Sequence, residues 1–303
     1  MNWSPDDMPS LGGRTAVVTG ANSGIGWYTA AELGKHGATV TLACRNLELG
    51  KQAAAKMRDA GAGDVHVEEL DLSSLASVEQ FAARWQGRLD LLVNNAGVMT
   101  PPRYRETADG FELQFGTNHL GHYALTGRLL PALLMATEPR VVTVASIAHF
   151  RGKADLLEGN PPERYRPEPA YGNSKLANVL FAFELQRRAL EQGVALTSNA
   201  AHPGVSATNL VTSTQGMGAI PGVRLLAPPV LKLLFQSPAA GALSSLYAAT
   251  EAEPGSYTGP QSLRETRGRI GPAKLNPLAR DEGLAAKLWD MSSELTGVVY
   301  PWP

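Results

Sequence analysis

A single α/β domain, built on a doubly wound parallel sheet of about seven strands with helices on both faces, is what the 303-residue sequence predicts. Three observations lead there. Short apolar runs alternate with stretches of helical length from the beginning of the chain onward. Glycine occurs 31 times, which suits many tight turns, and charged residues make up only 18%, which suits a sheet buried on both faces. No internal repeat, low-complexity tract or flexible linker divides the chain, so residues 1–303 read as one domain.

The expected strands are "RTAVVT" (14–19), "ATVTLA" (38–43), "DVHVEEL" (64–70), "LDLLVN" (89–94), "RVVTVA" (140–145) and "VALTSNA" (194–200). Between them lie the helical stretches Ile25–His36, Leu47–Ala60 and Ser74–Gln86, and "GLAAKLWDMSSEL" (283–295) reads as a closing helix. Strands separated by helices call for right-handed crossovers and therefore a parallel sheet. Two segments break the alternation. Residues 151–169, with Pro161, Pro162, Pro167 and Pro169, form a proline-rich irregular insertion ahead of the helix that carries Tyr171. Residues 203–236 hold "VRLLAPPVLKLLF" (223–235), apolar but interrupted by Pro228 and Pro229. Long insertions in compact domains are commonly functional. Leu225, Leu226, Leu231, Leu233, Leu234 and Phe235 are expected to form a lid that excludes water and receives a hydrophobic substrate. The alternative is that they cover the fold's own core or a subunit contact.

A net charge of −1 gives no electrostatic footprint for nucleic acid. The only cysteine, Cys44, excludes an internal disulfide and fits a reducing compartment. The start, "MNWSPDDMPSLGG", carries two acids and no apolar run, unlike a signal peptide, and no stretch reaches the length of a transmembrane helix. The expectation is a cytoplasmic protein with no transmembrane segment.

The first strand runs directly into "TGANSGIG" (19–26) and then into a helix, the context in which a glycine-rich loop signals dinucleotide binding. Gly20 permits the sharp turn, Gly24 lets backbone approach a pyrophosphate, and Gly26 lets helix and strand pack closely. Asn22, Ser23 and Ile25 complete the loop, and the helix N-terminus offers unpaired amides and a positive dipole end to phosphates. At the end of the second strand, "LACRN" (42–46) lacks the acid that binds a ribose 2′-hydroxyl in NAD-preferring folds. Arg45, followed by Asn46, suits a 2′-phosphate through two parallel hydrogen bonds. NADP(H) is the expected cofactor, with NAD(H) as the alternative.

In "AYGNSKLANVLF" (170–181) the four-residue spacing puts Tyr171 and Lys175 on one helix face. A free phenol is a poor base at neutral pH, and bringing it to about 7 takes roughly 4 kcal/mol of differential stabilisation. A nearby ammonium and a cationic nicotinamide ring would both act in that direction, so that Tyr171 exchanges a proton with a substrate hydroxyl. Ser146 follows the apolar strand 140–145, where a parallel sheet places its ligand crevice, and could hold the substrate oxygen beside the phenol. Other chemistries find less support. His119 and His122 stand three apart and His149 three past Ser146, but no further ligands converge in sequence, so no metal site is expected. The nucleophile-elbow pattern G-x-S-x-G and the P-loop pattern are both missing.

The glycine spacing, T-G-x-x-x-G-x-G rather than G-x-G-x-x-G, resembles that of the short-chain dehydrogenase/reductase family, whose fold is of the Rossmann type. The resemblance extends over nearly the whole chain, because further motifs follow in the family's order. Asp71 and Leu72 match the pair that meets the adenine ring. Asn94, Asn95, Ala96 and Gly97 match the strand-end motif on the adenosine side. Asn118, Ser146, Tyr171 and Lys175 match a catalytic tetrad in which Asn118 joins a water relay with Lys175 and Lys175 also meets the nicotinamide ribose. "HPGVSAT" (202–208), with Pro203, Gly204, Val205 and Thr208, matches the loop that takes the nicotinamide carboxamide. The 25 residues from Ser146 to Tyr171 exceed the family's usual dozen or so, which the insertion accounts for.

"ACRN", "NHLGHYALT", "YGNSKLANVLF", "HPGV" and "KLWDMSSEL" are similar to the retinol dehydrogenase and WW-domain oxidoreductase branch. That branch implies hydride exchange at a lipophilic alcohol or carbonyl. Two departures stand out: no membrane anchor precedes the first strand, and "VAS" (144–146) replaces the commoner Ser-Ser pair. The resemblance also implies a homo-oligomer paired through the Tyr171 helix, a surface that the 151–169 insertion stands to obstruct. A second class of function is an NADP(H)-binding sensor of the same fold that turns nothing over.

Overall fold

A computed structural model describes residues 3–205 and 236–303. Most of the expected lid at 203–236 therefore lies outside the described residues. The six strands expected from the apolar runs all form, as β1 (Thr15–Thr19), β2 (Thr39–Cys44), β3 (Val65–Glu69), β4 (Leu91–Asn94), β5 (Arg140–Val144) and β6 (Thr197–Ala201). Two more follow, β7 (Tyr257–Ser262) and β8 (Arg267–Pro272). The sheet has eight strands rather than about seven, in the order β3-β2-β1-β4-β5-β6-β7-β8, and β8 runs antiparallel to β7. Neither strand has the alternating apolar pattern that marked the others: Gly259 and Pro260 interrupt β7, and all of β8 but Ile270 and Gly271 is exposed. Pairing at the sheet edge, not local pattern, makes them strands.

The alternation in β1 distributes the core. Ala16 and Val18 join Val40 and Leu42 against α1 (Gly24–Lys35) and α2 (Leu47–Asp59), while Val17 joins Leu92 and Val141 on the other face. That second face is covered by α3 (Leu75–Arg84), α4 (Gly121–Leu134) and α5 (Pro167–Glu191), through Phe81, Leu129, Phe181 and Leu185. The first is completed by α6 (Pro238–Thr250), whose Ala242 and Leu246 reach the same cluster as β1. Both faces are thus buried, as a parallel sheet requires. Because β2 lies on one side of β1 and β4 on the other, a crevice opens beyond the carboxyl ends of β1 and β4.

The insertion before α5 is shorter than expected. Three 3-10 turns, Ile147–Arg151, Ala154–Glu158 and Pro162–Arg164, lead into α5, which begins at Pro167 because proline is tolerated in a first helical turn. Polar side chains pin this stretch to α5: Asn173 accepts from the Lys153 amide at 3.0 Å and donates to Asn160 at 3.0 Å. Asn160 in turn donates to the buried Glu112 at 3.0 Å. From Ala170 to Ala182 every residue of α5 is buried, as in a helix enclosed on all sides. Its outer side carries α7 (Glu282–Thr296): Trp289 stacks on Phe181 at 5.9 Å, and the Arg188 guanidinium lies 4.6 Å over the Trp289 ring. Among the described residues no helix is long and apolar enough to cross a membrane.

Candidate active site

The crevice is a groove of about 310 Å³, within the range of small-molecule sites. Gly20, Asn22, Ser23, Gly24, Ile25 and Gly26 form one wall. Its glycines are needed where they stand. Gly20 and Gly24 have φ of +66° and +60°, the left-handed region that suits residues without a Cβ. A Cβ on Gly26 would sit 2.8 Å from the Gly20 carbonyl and against the Asn95 amide nitrogen. Ser23 occupies the N-cap of α1 yet makes no side-chain cap, whereas Asn46, Ser74 and Asp281 cap α2, α3 and α7. The first amides of α1 consequently have no side-chain acceptor at the cap, and their dipole end faces a groove that fits the phosphates of a dinucleotide.

Arg45 borders the groove at the end of β2, and Asp71 and Leu72 border it after β3. Asn95, Ala96 and Gly97 enter from the end of β4. Thr19 fixes that turn: its Oγ1 accepts from the amides of Asn95 and Ala96, each at 2.9 Å, and its carbonyl accepts from the Asn95 side chain at 2.7 Å.

Tyr171 and Lys175 reach the groove from α5, with Lys175 Nζ 5.7 Å from the phenol ring centre. Both are buried, Tyr171 8% and Lys175 3% exposed. Lys175 Nζ donates to the Val144 carbonyl at 3.0 Å, and Asn178 donates to the same oxygen at 3.1 Å. Burial without a carboxylate partner pushes the lysine down to about 8. The phenol moves the other way. Burial raises Tyr171 to about 12, against a smaller lowering by its hydrogen bond with the Ser146 side chain. The expected lowering by the lysine is not produced by the protein's own groups: desolvation dominates, and the Ser146 hydrogen bond is what opposes it. Asn118 sits in a π-helical turn, Gly116–Leu120, ahead of α4. Its Oδ1 accepts from the Val98 amide at 2.8 Å, and its Nδ2 donates to the Val98 carbonyl and Ser174 Oγ, both at 3.0 Å. A Cβ on Gly97 would lie 3.1 Å from Asn118 Oδ1 and 3.6 Å from Lys175 Nζ, so these three residues converge.

A profile of the short chain dehydrogenase family matches residues 14–217 of this chain. Human retinol dehydrogenase 13 is 40% identical over 299 residues, covering 96% of this chain and 87% of that protein. The chain belongs to the short-chain dehydrogenases. This dehydrogenase is an oxidoreductase of the retinol dehydrogenase branch, to which relatives named retinol dehydrogenase 14 and 12 also match. Among solved structures, an uncharacterised protein of Mycobacterium paratuberculosis is 44% identical with a TM-score of 0.83, covering 99% of this chain and all of that one. An NAD(P)-dependent gluconate 5-dehydrogenase of Beutenbergia cavernae, solved with bound NADP, is 26% identical with a TM-score of 0.62, covering 82% and 95%.

Not every residue expected in the dehydrogenase's site borders the groove. Asn46 spends its side chain on the cap of α2, accepting from the Leu49 amide at 2.9 Å. Asn94 is fully buried and donates to Thr126 at 3.0 Å. Pro203 lines the groove, while Gly204 and Val205 turn toward the β7–β8 hairpin, where the Val205 amide donates to Thr266 at 2.9 Å. Thr208 lies outside the described residues. Lining residues that sequence reading passed over are Ala43, Leu70, Val98, Thr117, Val144 and Ala145. Their positions one residue from Asp71, Gly97 and Ser146 were the available signal for Leu70, Val98 and Ala145.

Proposed function

We propose that this dehydrogenase exchanges a hydride between NADP(H) and a lipophilic alcohol or carbonyl compound, with Tyr171 as general acid/base. Tyr171 and Lys175 at the groove walled by the glycine loop, with the Ser146 side chain hydrogen-bonded to the phenol, carry the reading. Gly20, Gly24, Gly26 and the N-terminus of α1 would hold the pyrophosphate, with Asn22, Ser23 and Ile25 alongside. Asp71, Leu72, Asn95, Ala96 and Gly97 would line the adenosine side, and Lys175 and Pro203 the nicotinamide side. Arg45, exposed beside the groove, supports a preference for the 2′-phosphate of NADP(H) over NAD(H).

Bound there, a nicotinamide dinucleotide supplies the hydride acceptor or donor. Ser146 orients the substrate oxygen, and Tyr171 Oη gives that oxygen its proton in reduction or takes the hydroxyl proton in oxidation. Lys175 supplies positive charge beside the phenol, and Asn118 holds Val98, which lines the groove next to Gly97. Because burial leaves the Tyr171 phenol protonated through the neutral range, the chain's own groups favour the acid role. A lipophilic substrate is supported by the retinol dehydrogenase names of relatives near 40% identity. A cytoplasmic setting belongs to the same reading, supported by a single, buried thiol at Cys44.

The test is NADPH consumption with aliphatic, retinoid and steroid carbonyls, comparing the parent with Tyr171→Phe. The variant should retain NADPH binding and lose roughly 10²–10⁴ in kcat. A Tyr171→Phe enzyme as fast as the parent would sink the assignment, and tight NADPH binding without any turnover would favour a sensor.

A further inference from the structure

Ser146 opens the 3-10 turn Ile147–Arg151, and that turn is held far more firmly than its own backbone requires. Its backbone supplies the His149 amide to the Ser146 carbonyl at 3.0 Å and the Gly152 amide to the His149 carbonyl at 3.0 Å. Ser146 Oγ accepts from the Ala148 amide at 3.2 Å. His149 adds a second bond to the same Ser146 carbonyl, from ring Nδ1 at 2.8 Å. The opposite ring nitrogen, Nε2, accepts the Asn276 amide at 3.1 Å. An amide can only donate, so the ring proton resides on Nδ1 and the tautomer is fixed.

Asn276 grips the turn a further two times. Its Nδ2 donates to the carbonyls of His149 at 3.0 Å and Gly152 at 3.1 Å, while its Oδ1 accepts from Leu278 at 3.0 Å. Every polar atom of both side chains is therefore engaged, and His149 is fully buried with Asn276 6% exposed. Three titratable groups surround the imidazole. The Tyr257 phenol lies 3.4 Å from Nδ1, His202 lies beyond it with ring centres 5.3 Å apart, and Tyr171 connects through Ser146. Burial holds His149 at about 4, so the ring stays neutral and keeps its single proton across the working range.

We propose that His149, locked by Asn276, is a positioning residue that fixes the Ser146 backbone so that the serine hydroxyl meets the Tyr171 phenol. The inference rests on the acid/base reading of Tyr171 and extends it to the segment between β8 and α7. A buried network with every donor and acceptor satisfied specifies one geometry, and supporting hydrogen bonds of this kind set how accurately a reacting group is held. Neither His149 nor Asn276 lines the groove, so both act through Ser146.

The experiment compares His149→Ala, His149→Asn, Asn276→Ala and Tyr171→Phe, with retinaldehyde and NADPH as the probe. A second readout is the ¹³Cζ resonance of labelled Tyr171, assigned by its loss in Tyr171→Phe. In His149→Ala, kcat should fall about tenfold, the equivalent of one lost hydrogen bond, with KM for NADPH unchanged. The apparent pKa of the acid/base group should rise, because a disoriented Ser146 no longer lowers the phenol. The Tyr171 resonance should shift in both alanine variants. His149→Asn, whose amide nitrogen can occupy the Nδ1 position, should recover most of kcat and return the resonance.

Alanine variants that keep the parent's kcat, pH profile and resonance while Tyr171→Phe is inactive would overturn the positioning role and leave the acid/base reading standing. A fully active Tyr171→Phe would instead overturn the acid/base reading. If retinaldehyde is not turned over, the resonance decides alone, and an unmoved signal in His149→Ala overturns the proposal. Should His149→Ala fail to fold, Asn276→Ala carries the same comparison.

Discussion

The two sides of the groove are made of different materials. On the β1–β4 side the walls are main chain: glycines at left-handed φ, an uncapped helix end, and a turn fixed by Thr19. On the β5–β6 side polar side chains dominate: buried Tyr171 and Lys175 line the groove, and Ser146, His149 and Asn118, which do not line it, support them through hydrogen bonds within the protein. A site for a large, fixed ligand needs shape, and backbone supplies shape cheaply. A site for proton transfer needs ionisable groups out of water, where burial disfavours the charged form of each. The first side should therefore be sensitive to added atoms, and the second to the removal of charge.

Lys175 gives the largest contrast. Its folded pKa of about 8 lies below the usual 10.5, so the charged lysine opposes folding at neutral pH. The size is roughly 3 kcal/mol. Between about pH 8 and 10.5 the unfolded chain holds the extra proton, so stability from this group rises with pH over that window and is least below it. Lys175→Met should melt higher than the parent at pH 7, with the gain shrinking toward pH 10.5, while turnover falls by two orders of magnitude or about that. Melting curves across pH read the first and NADPH consumption the second. A variant that is less stable at neutral pH would break the contrast between the two sides.

Gly26→Ala is the opposite perturbation on the opposite side. The added Cβ would press on the Gly20 carbonyl at 2.8 Å and the Ala21 Cα at 3.1 Å, both backbone. Asn95 cannot retreat, because its amide nitrogen is bound to the Thr19 carbonyl at 2.7 Å. Overpacking of this kind costs about 1–3 kcal/mol. The expected result is weaker NADPH binding by about tenfold or more in a fluorescence titration, with a lowered melting point. Unchanged affinity would mean that the loop does not hold the phosphates.

The same division explains what could be read from the sequence. Local rules were enough for β1, whose alternating Ala16, Val17 and Val18 distribute between two faces, and for the glycine loop, whose spacing and left-handed turns at Gly20 and Gly24 lie within eight residues. They were not enough for the β7–β8 hairpin, held by edge pairing, nor for Asn276, which meets His149 across 127 residues of chain. The four-residue spacing puts Tyr171 and Lys175 on one helix face, and both line the groove, yet spacing carries no information about burial, and burial sets the direction of both pKa shifts. Asn118 was recognisable by resemblance alone. Its bonds to Val98 and Ser174 depend on a π-helical turn that no periodicity announces.

Arg45 tests the outer rim of the main-chain side, where a charged side chain takes over from backbone. A guanidinium–phosphate hydrogen bond contributes about 1.5–3 kcal/mol, so Arg45→Ala should weaken NADPH binding roughly ten- to hundredfold. NADH, which lacks the 2′-phosphate, should bind as before. Equal losses for both cofactors would point to a general disturbance of the β2 end, and no loss for either would remove the NADP(H) preference.

Asn46, the neighbour of Arg45, should give the smallest effect. Sequence placed it with the cofactor residues, but its side chain accepts from the Leu49 amide at 2.9 Å and closes the first turn of α2. Removing such a cap costs typically about 1 kcal/mol, with little consequence beyond the helix it starts. Asn46→Ala should therefore lower the melting point modestly and leave NADPH affinity within about twofold, whereas Asn46→Asp, an equally good cap, should restore the melting point. If Asn46→Ala instead loses NADPH affinity while its melting point holds, the side chain serves the ligand before the helix. The boundary between the groove and its supporting shell would then lie one residue further out than these hydrogen bonds put it.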